Sequence, residues 1–251
     1  MKKQLLLFLS FLFTYGCSSN SDSNNNNNNN NNTNSVTDGD GNVYQKVTIC
    51  DQTWTQSNLN VSKYSDGTTI PQVTDPVEWA NITTGAWCYT YNDPANGAIY
   101  GKLYNWYAVA GIYDAASLDN PELRKKLAPN GWHIPTNQEW VELTNCLGGY
   151  AIAGAKMKEI GTLHWTSPNT GANNSSGFTA IPAGYRRGSV PSNPSFSGSF
   201  TFINDYGGWW SITENVNTTD ARNIYLKYNA NIATHYTFTK KHGFSVRCLK
   251  D

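Results

Sequence analysis

The stretch GWHIPTNQEWVELTNCLGG, Gly131 to Gly149, has its start, its buried face and its stop all dictated by residue chemistry. Pro135 cannot donate to a strand ladder, Thr136 can cap orphan helix amides with its hydroxyl, and Glu139 can reach back to the Thr136 amide. This capping box predicts a helix over about residues 137–147. Trp140, Leu143, Cys146 and Leu147 fall within roughly a third of the helical circle and predict one inward stripe; Gly148-Gly149 supply the left-handed stop. Trp132, His133 and Ile134 read as a short buried extended segment that delivers the chain into the helix.

At the amino terminus, Lys2-Lys3 precede an apolar run from Leu5 to Phe13 that is too short to span a bilayer, which predicts a secretory signal over residues 1–16. Thr14-Tyr15-Gly16-Cys17 places a small residue before a cysteine and resembles a lipobox, implying that Cys17 is acylated after cleavage. Residues 17–37 read as a tether, because the run from Asn24 to Asn32 has nothing from which to build a core. Acyl chains contribute about 0.8 kcal/mol per buried methylene, so Cys17 alone would hold the chain on a membrane. The expected location is the outer membrane or cell surface, reached by export through the inner membrane.

Residues 38–251 contain no Pro/Gly/Ser-rich break and read as one domain. Lys plus Arg equal Asp plus Glu at 18 each, and no basic stripe interleaves with the nine Trp and fifteen Tyr, which argues against a nucleic-acid partner. Cys50, Cys88, Cys146 and Cys248 follow Cys17, and an even number in an exported chain predicts two disulfides with three connectivities open. No CxxC or Cys/His spacing suits zinc.

Asp38-Gly39-Asp40-Gly41-Asn42 alternates carboxylates and glycines as a calcium loop does, yet it lacks the distal bidentate Glu and reads as a turn. Calcium is therefore unsupported, and no cofactor or metal is expected. Val43 to Ile49 predicts a strand with Val43, Gln45, Val47 and Ile49 on one face, and Thr53 to Leu59 returns as its hairpin partner bearing Trp54. Val77 to Ile82 predicts a helical turn with Trp79 and Ile82 inward, Cys88 to Tyr91 a strand, and Asn92 to Gly97 a loop. The aromatic run from Tyr100 to Ala110 reads as core, and Pro121 to Leu127 as a second helix capped by Asn120. Gly177 to Arg187 reads as a strand ending in two guanidinium groups. Gly208 to Glu214, Asn223 to Tyr228 and Phe244 to Leu249 read as closing strands. Short strands among long loops, with one good helix between the halves, place the domain in the α+β class.

WHIPTNQEWVEL resembles the strand-to-helix passage LPTEAEW of the formylglycine-generating-enzyme and C-type-lectin-like superfamily. The ordered series GAIYGKLYNWYAVAG, GWHIPTNQEW, GFTAIPAGYRRG, GGWWSITE and HGFSVRCLKD, from about Val43 to Asp251, is similar to the Fibrobacter succinogenes major paralogous domain of Bacteroidetes-type surface proteins. The resemblance implies a C-type-lectin-like α+β domain. Lectin-like folds often bridge the first helix to the last strand, which would join Cys146 to Cys248. Members of the paralogous family show counterparts of Cys88 and Cys248, which implies Cys50 with Cys146 and Cys88 with Cys248. Formylglycine-generating enzymes use two closely spaced late cysteines for copper-dependent oxidation; here only Cys248 lies in that region, and the chemistry does not carry over.

His133, His164, His235 and His242 are widely spaced and form no HExxH motif. Asp205 and Glu214 flank Trp209-Trp210, and two acids beside aromatics are what glycoside cleavage uses, but acids at both ends of a strand are common. The expectation is a non-enzymatic domain that recognises a glycan or a surface protein, with an envelope assembly module as the alternative. Ligand loops of lectin-like folds lie between the helix and the closing strands. That implies a contact set of Arg186, Arg187, Asn204, Asp205, Tyr206, Trp209, Trp210, Glu214 and Asn215. Strand alternation puts at least one of Trp209 and Trp210 in the core. The Glu-Pro-Asn and Trp-Asn-Asp signatures of calcium-dependent sugar binding are absent.

Overall fold

A computed structural model describes residues 34–216 and 219–251; the expected signal, Cys17 and most of the tether lie outside the described residues. From the amino-terminal side the elements are β1 (Ser35–Thr37), β2 (Val43–Ile49), β3 (Gln52–Thr55), α1 (Pro76–Asn81), β4 (Trp87–Cys88), α2 (Pro94–Tyr100), β5 (Leu103–Tyr104), α3 (Trp106–Val109) and α4 (Ala115–Asp119). They continue as β6 (Trp132–His133), α5 (Asn137–Cys146), α6 (Tyr150–Met157), β7 (Tyr185–Arg186), β8 (Phe200–Thr201), β9 (Tyr206–Glu214), β10 (Asp220–Lys227), β11 (Thr234–Thr239) and β12 (Leu249–Lys250). The fold is mixed α+β. Its antiparallel sheets are a five-stranded one ordered β1-β2-β3-β12-β6, a three-stranded one ordered β11-β10-β9, and the ribbons β4-β5 and β7-β8. Ser35–Thr37 falls in the span expected as tether, and its pairing with β2 makes it part of the domain.

Helix α5 forms where the capping box places it. The Thr136 amide donates to Glu139 Oε2 at 2.7 Å, and the Glu139 amide donates to Thr136 Oγ1 at 3.2 Å. Gly148 and Gly149 end it at φ 98° and 96°. Trp140, Leu143 and Leu147 are buried as expected, but Cys146 is exposed and Thr144 takes the inward place. Cys146 is turned outward because it bonds to Cys50, the left-handed turn residue between β2 and β3.

The core lies in three clusters, and β9 divides the two larger ones. Trp209 points to one side, into a cluster with Trp54, Trp140, Phe178, Ile224 and Leu226; Trp210 points to the other, with Tyr104, Trp106, Phe244 and Cys248. The third gathers Trp79, Cys88, Tyr100 and Leu103. Trp54 and Trp140 approach to 4.5 Å between centroids, a contact worth about 1 kcal/mol beyond the burial of each ring. The segment from Gly243 to Leu249 stitches these layers together by bridging Arg186, Tyr104, Trp209, Trp54 and His133 in turn.

Several local expectations change in context. Strand β2 exposes Val43 and buries Tyr44, because its two faces serve different clusters: Tyr44 one, Ile49 the other. The expected loop from Asn92 to Gly97 contains the start of α2, capped by Asp93, whose carboxylate accepts from the Ala95 amide with Pro94 at the first position. The expected strand from Cys88 to Tyr91 stops at Cys88, since Thr90–Asn92 turns as a 3-10 helix with Tyr91 at φ 56°. The second helix shortens to one 3-10 turn, Pro121–Leu123, and between Gly177 and Arg187 only β7 pairs as a strand. Phe244 to Leu249 is extended but joins neighbours through single bridges up to β12.

Cys50–Cys146 forms as the family resemblance implies; Cys88 and Cys248 do not pair. Cys88 packs beside Arg186 in the third cluster and Cys248 sits in the first, and burial pushes the Cys88 thiol up to about 12. Alkylation of the native protein followed by peptide mass spectrometry should leave Cys88 and Cys248 unmodified, and both should label once urea unfolds the chain. A Cys88–Cys248 linked peptide would contradict this arrangement.

Candidate functional site: an aromatic groove on the three-stranded sheet

A groove with a cavity volume of about 420 Å³ lies at one face of β9, β10 and β11. Pairing builds it. Tyr206 opens β9 opposite Lys227, Tyr225 sits opposite Gly208, and Tyr236 and Phe238 arrive from β11. Tyr206 stacks on Tyr225 at 4.7 Å, and Tyr236 lies 5.2 Å from Phe238. Tyr185 from β7 closes one side against Tyr206 at 5.4 Å, and Phe202 extends it at 5.9 Å from Tyr185. Gly208 is required beneath this floor, because a Cβ there would stand 2.8 Å from the Phe244 ring and 2.9 Å from that of Tyr206.

Polar groups ring the aromatics: Asp205, Lys227, Tyr228 and Asn229. Their turn is fixed from behind by Lys158, fully buried, whose ammonium donates to the carbonyls of Thr170 (2.9 Å), Lys227 (3.1 Å) and Ala230 (2.9 Å). The Tyr228 amide donates to the Asp205 carbonyl at 3.0 Å, joining both sides of the rim. Burial pulls the Lys158 ammonium down to about 8, while its three carbonyl acceptors favour the charged form. Burial also pushes the Tyr206 and Tyr185 phenols up, so both stay protonated.

Of the contact set implied by resemblance, Asp205 and Tyr206 line the groove. Trp209 and Trp210 are both fully buried, and their indole N–H groups donate inward, to Asn58 Oδ1 at 2.8 Å and to the Tyr104 carbonyl at 2.9 Å. Arg186 is 1 % exposed. It donates to the carbonyls of Gly198 (2.9 Å), Val73 (2.6 Å) and Thr74 (2.8 Å) between the rings of Trp79 and Phe200, so it organises loops and meets no ligand. Arg187 lies over Phe196, and Asn204 accepts from the Tyr100 hydroxyl. Glu214 pairs with Lys240 at 2.8 Å, and the Asn215 amide donates to the Asp220 carbonyl. Glu214 and Asn215 lie at the far end of the nine-residue β9, roughly 27 Å from Tyr206, too far to share a site with Asp205.

The Asp38–Asn42 segment folds as a turn: Asp38 Oδ1 accepts from the Asp40 and Asn42 amides at 2.9 and 3.0 Å, and Asp40 accepts from Ser62. Among the described residues no group of three or more His, Cys, Asp or Glu comes together as a metal site would need.

The family model described as the Fibrobacter succinogenes major domain matches residues 47–250, well over half of the chain. The chain belongs to this family. No curated protein and no solved structure matches it. The five motifs that carry the family resemblance lie mostly inside the Fibrobacter succinogenes major domain: Tyr104, Trp106, Trp140, Phe178, Arg186, Trp209, Trp210, Phe244 and Arg247 are all buried. The groove draws mainly on residues outside them, namely Phe202, Tyr225, Tyr236 and Phe238. The one sequence signal for these was the alternation of Tyr236 and Phe238 in THYTFT.

Arg186→Met should lower unfolding free energy by about 3 kcal/mol or more in urea titrations, since three buried carbonyls lose their donor. His242, stacked on Phe244 beneath the groove, has its imidazole pulled down to about 4 by burial. Its folded value lies below the unfolded one, so its contribution is complete above about 6.5 and is lost as pH falls towards 4. Stability should therefore fall between pH 6.5 and 4, with His235 adding a smaller part, and His242→Phe should remove most of that slope.

Proposed function

We propose that this domain is a non-enzymatic recognition module whose aromatic groove binds a glycan. The supporting observation is the groove itself: six ring side chains form a concave floor, with Asp205, Lys227 and Asn229 at the rim. Its volume of about 420 Å³ falls in the range of small-molecule sites. Rings of Tyr and Phe cover the apolar C–H faces of sugars, while rim carboxylate, amide and ammonium groups satisfy hydroxyls. Asp205 and Glu214, at opposite ends of β9, stand too far apart to act as the carboxylate pair of a glycosidase.

In this reading the chain is exported and held by acylated Cys17 at the outer membrane or cell surface, and the tether lets the domain reach its ligand. The kinship to C-type-lectin-like and formylglycine-generating-enzyme-like domains rests on the LPTEAEW-like passage, here the segment that opens α5. A protein partner in the envelope is the rival occupant, favoured by the half-exposed Tyr236 and Phe202 rings.

A glycan array probed with the purified full-length chain should retain it on at least one carbohydrate. Tyr236→Ala, at an exposed ring, should weaken that retention about tenfold with unchanged melting. A folded wild-type chain that no glycan retains would remove the glycan reading and leave the envelope partner.

A further inference from the structure

We propose that the groove selects an uncharged glycan, whose C–H faces lie on Tyr225 and Tyr236 while its hydroxyls meet Asp205, Lys227 and Asn229 at the rim. This rests on the glycan reading above and narrows it. Tyr206 is 6 % exposed and its hydroxyl is sealed from solvent, so its ring supports the floor from within, while the half-exposed Tyr236 and Phe202 rings are open to a ligand. A sugar hydroxyl is both donor and acceptor, so it fits the Asp205 carboxylate, the Lys227 ammonium and the Asn229 amide alike.

Charge decides between glycan classes. Among the lining residues one carboxylate, Asp205, and one ammonium, Lys227, balance, and no arginine is present. Lys227 lies 5.4 Å from the Tyr225 ring centroid, over the aromatic floor. A uronate or sulfated chain brings a negative charge on successive sugars; a single lysine opposite Asp205 meets at most one of them, and the planar guanidinium forks that recognise such groups are missing. Burial keeps the Tyr206 phenol protonated and the His242 imidazole beneath the floor neutral at ordinary pH, so neither supplies charge. Uncharged hydroxyls and C–H faces are what this lining can satisfy completely.

Calorimetry with the full-length chain would use cellohexaose, xylohexaose and mannohexaose as uncharged probes, and polygalacturonate and chondroitin sulfate as charged ones, each at low and high salt. At least one uncharged probe should bind with an affinity that salt leaves unchanged, and the charged probes should bind about tenfold more weakly or not at all. Tyr225→Ala should weaken the uncharged probe about tenfold. Tighter, salt-sensitive binding of a charged probe would overturn the selectivity while leaving glycan recognition standing. Unchanged affinity in Tyr225→Ala would overturn the placement of the sugar on the ring floor. Binding of no probe, together with an empty glycan array, would overturn the reading on which this rests.

Discussion

Buried cations bonded to backbone carbonyls hold this fold together. Arg247, fully buried, donates to Asn58 Oδ1 and to the carbonyls of Thr55, Phe178 and Thr179. Arg186 does the same for Val73, Thr74 and Gly198, Lys158 for Thr170, Lys227 and Ala230, and Lys102 for Asn60. None of these four is in an ion pair among the described residues. The need follows from the architecture: short strands and long loops leave many carbonyls without ladder partners, and a buried carbonyl must find a donor somewhere. A guanidinium supplies up to five N–H groups from one side chain, and rings such as Phe178, Trp79 and Phe200 cover its faces.

This dependence explains which parts of the fold are legible in sequence. Helix α5 is, because its cap, stripe and stop are all within nineteen residues. So is the inward position of Trp79, and so are the aromatics from Tyr100 to Val109, whose hydrophobicity settles the matter locally. Arg186 is not: a charged residue after Tyr185 reads as surface, and the carbonyls that justify its burial lie more than a hundred residues earlier, at Val73 and Thr74. Trp209 and Trp210 mislead differently. Alternation demands that one face inward, and only the presence of a second core on the opposite side of β9 buries the other. Of the ten groove residues the expected contact set names two, Asp205 and Tyr206; Phe202, Tyr225, Tyr236 and Phe238 come from separate segments that only sheet pairing brings together.

Membership of the Fibrobacter succinogenes major domain family and the proposed binding role therefore rest on different residues. The motif residues build clusters and anchor loops, whereas the groove is made where those anchors end, on the face of β9 to β11 that Lys158 borders. Rigidity passes from one to the other. Lys158 clamps the turn that carries Tyr228 and Asn229, and Gly208 leaves space for Phe244 under the floor, so the rings stand in place before a ligand arrives.

Amide hydrogen exchange of the full-length chain, with and without the oligosaccharide it retains best, tests the central claim most directly. The account predicts slowed exchange confined to the groove, at residues 202–206, 225–229 and 234–238, with the buried motif segments equally slow in both states. Slowing at the Glu214–Asn215 end of β9, or around Arg187, with the groove unchanged would contradict it.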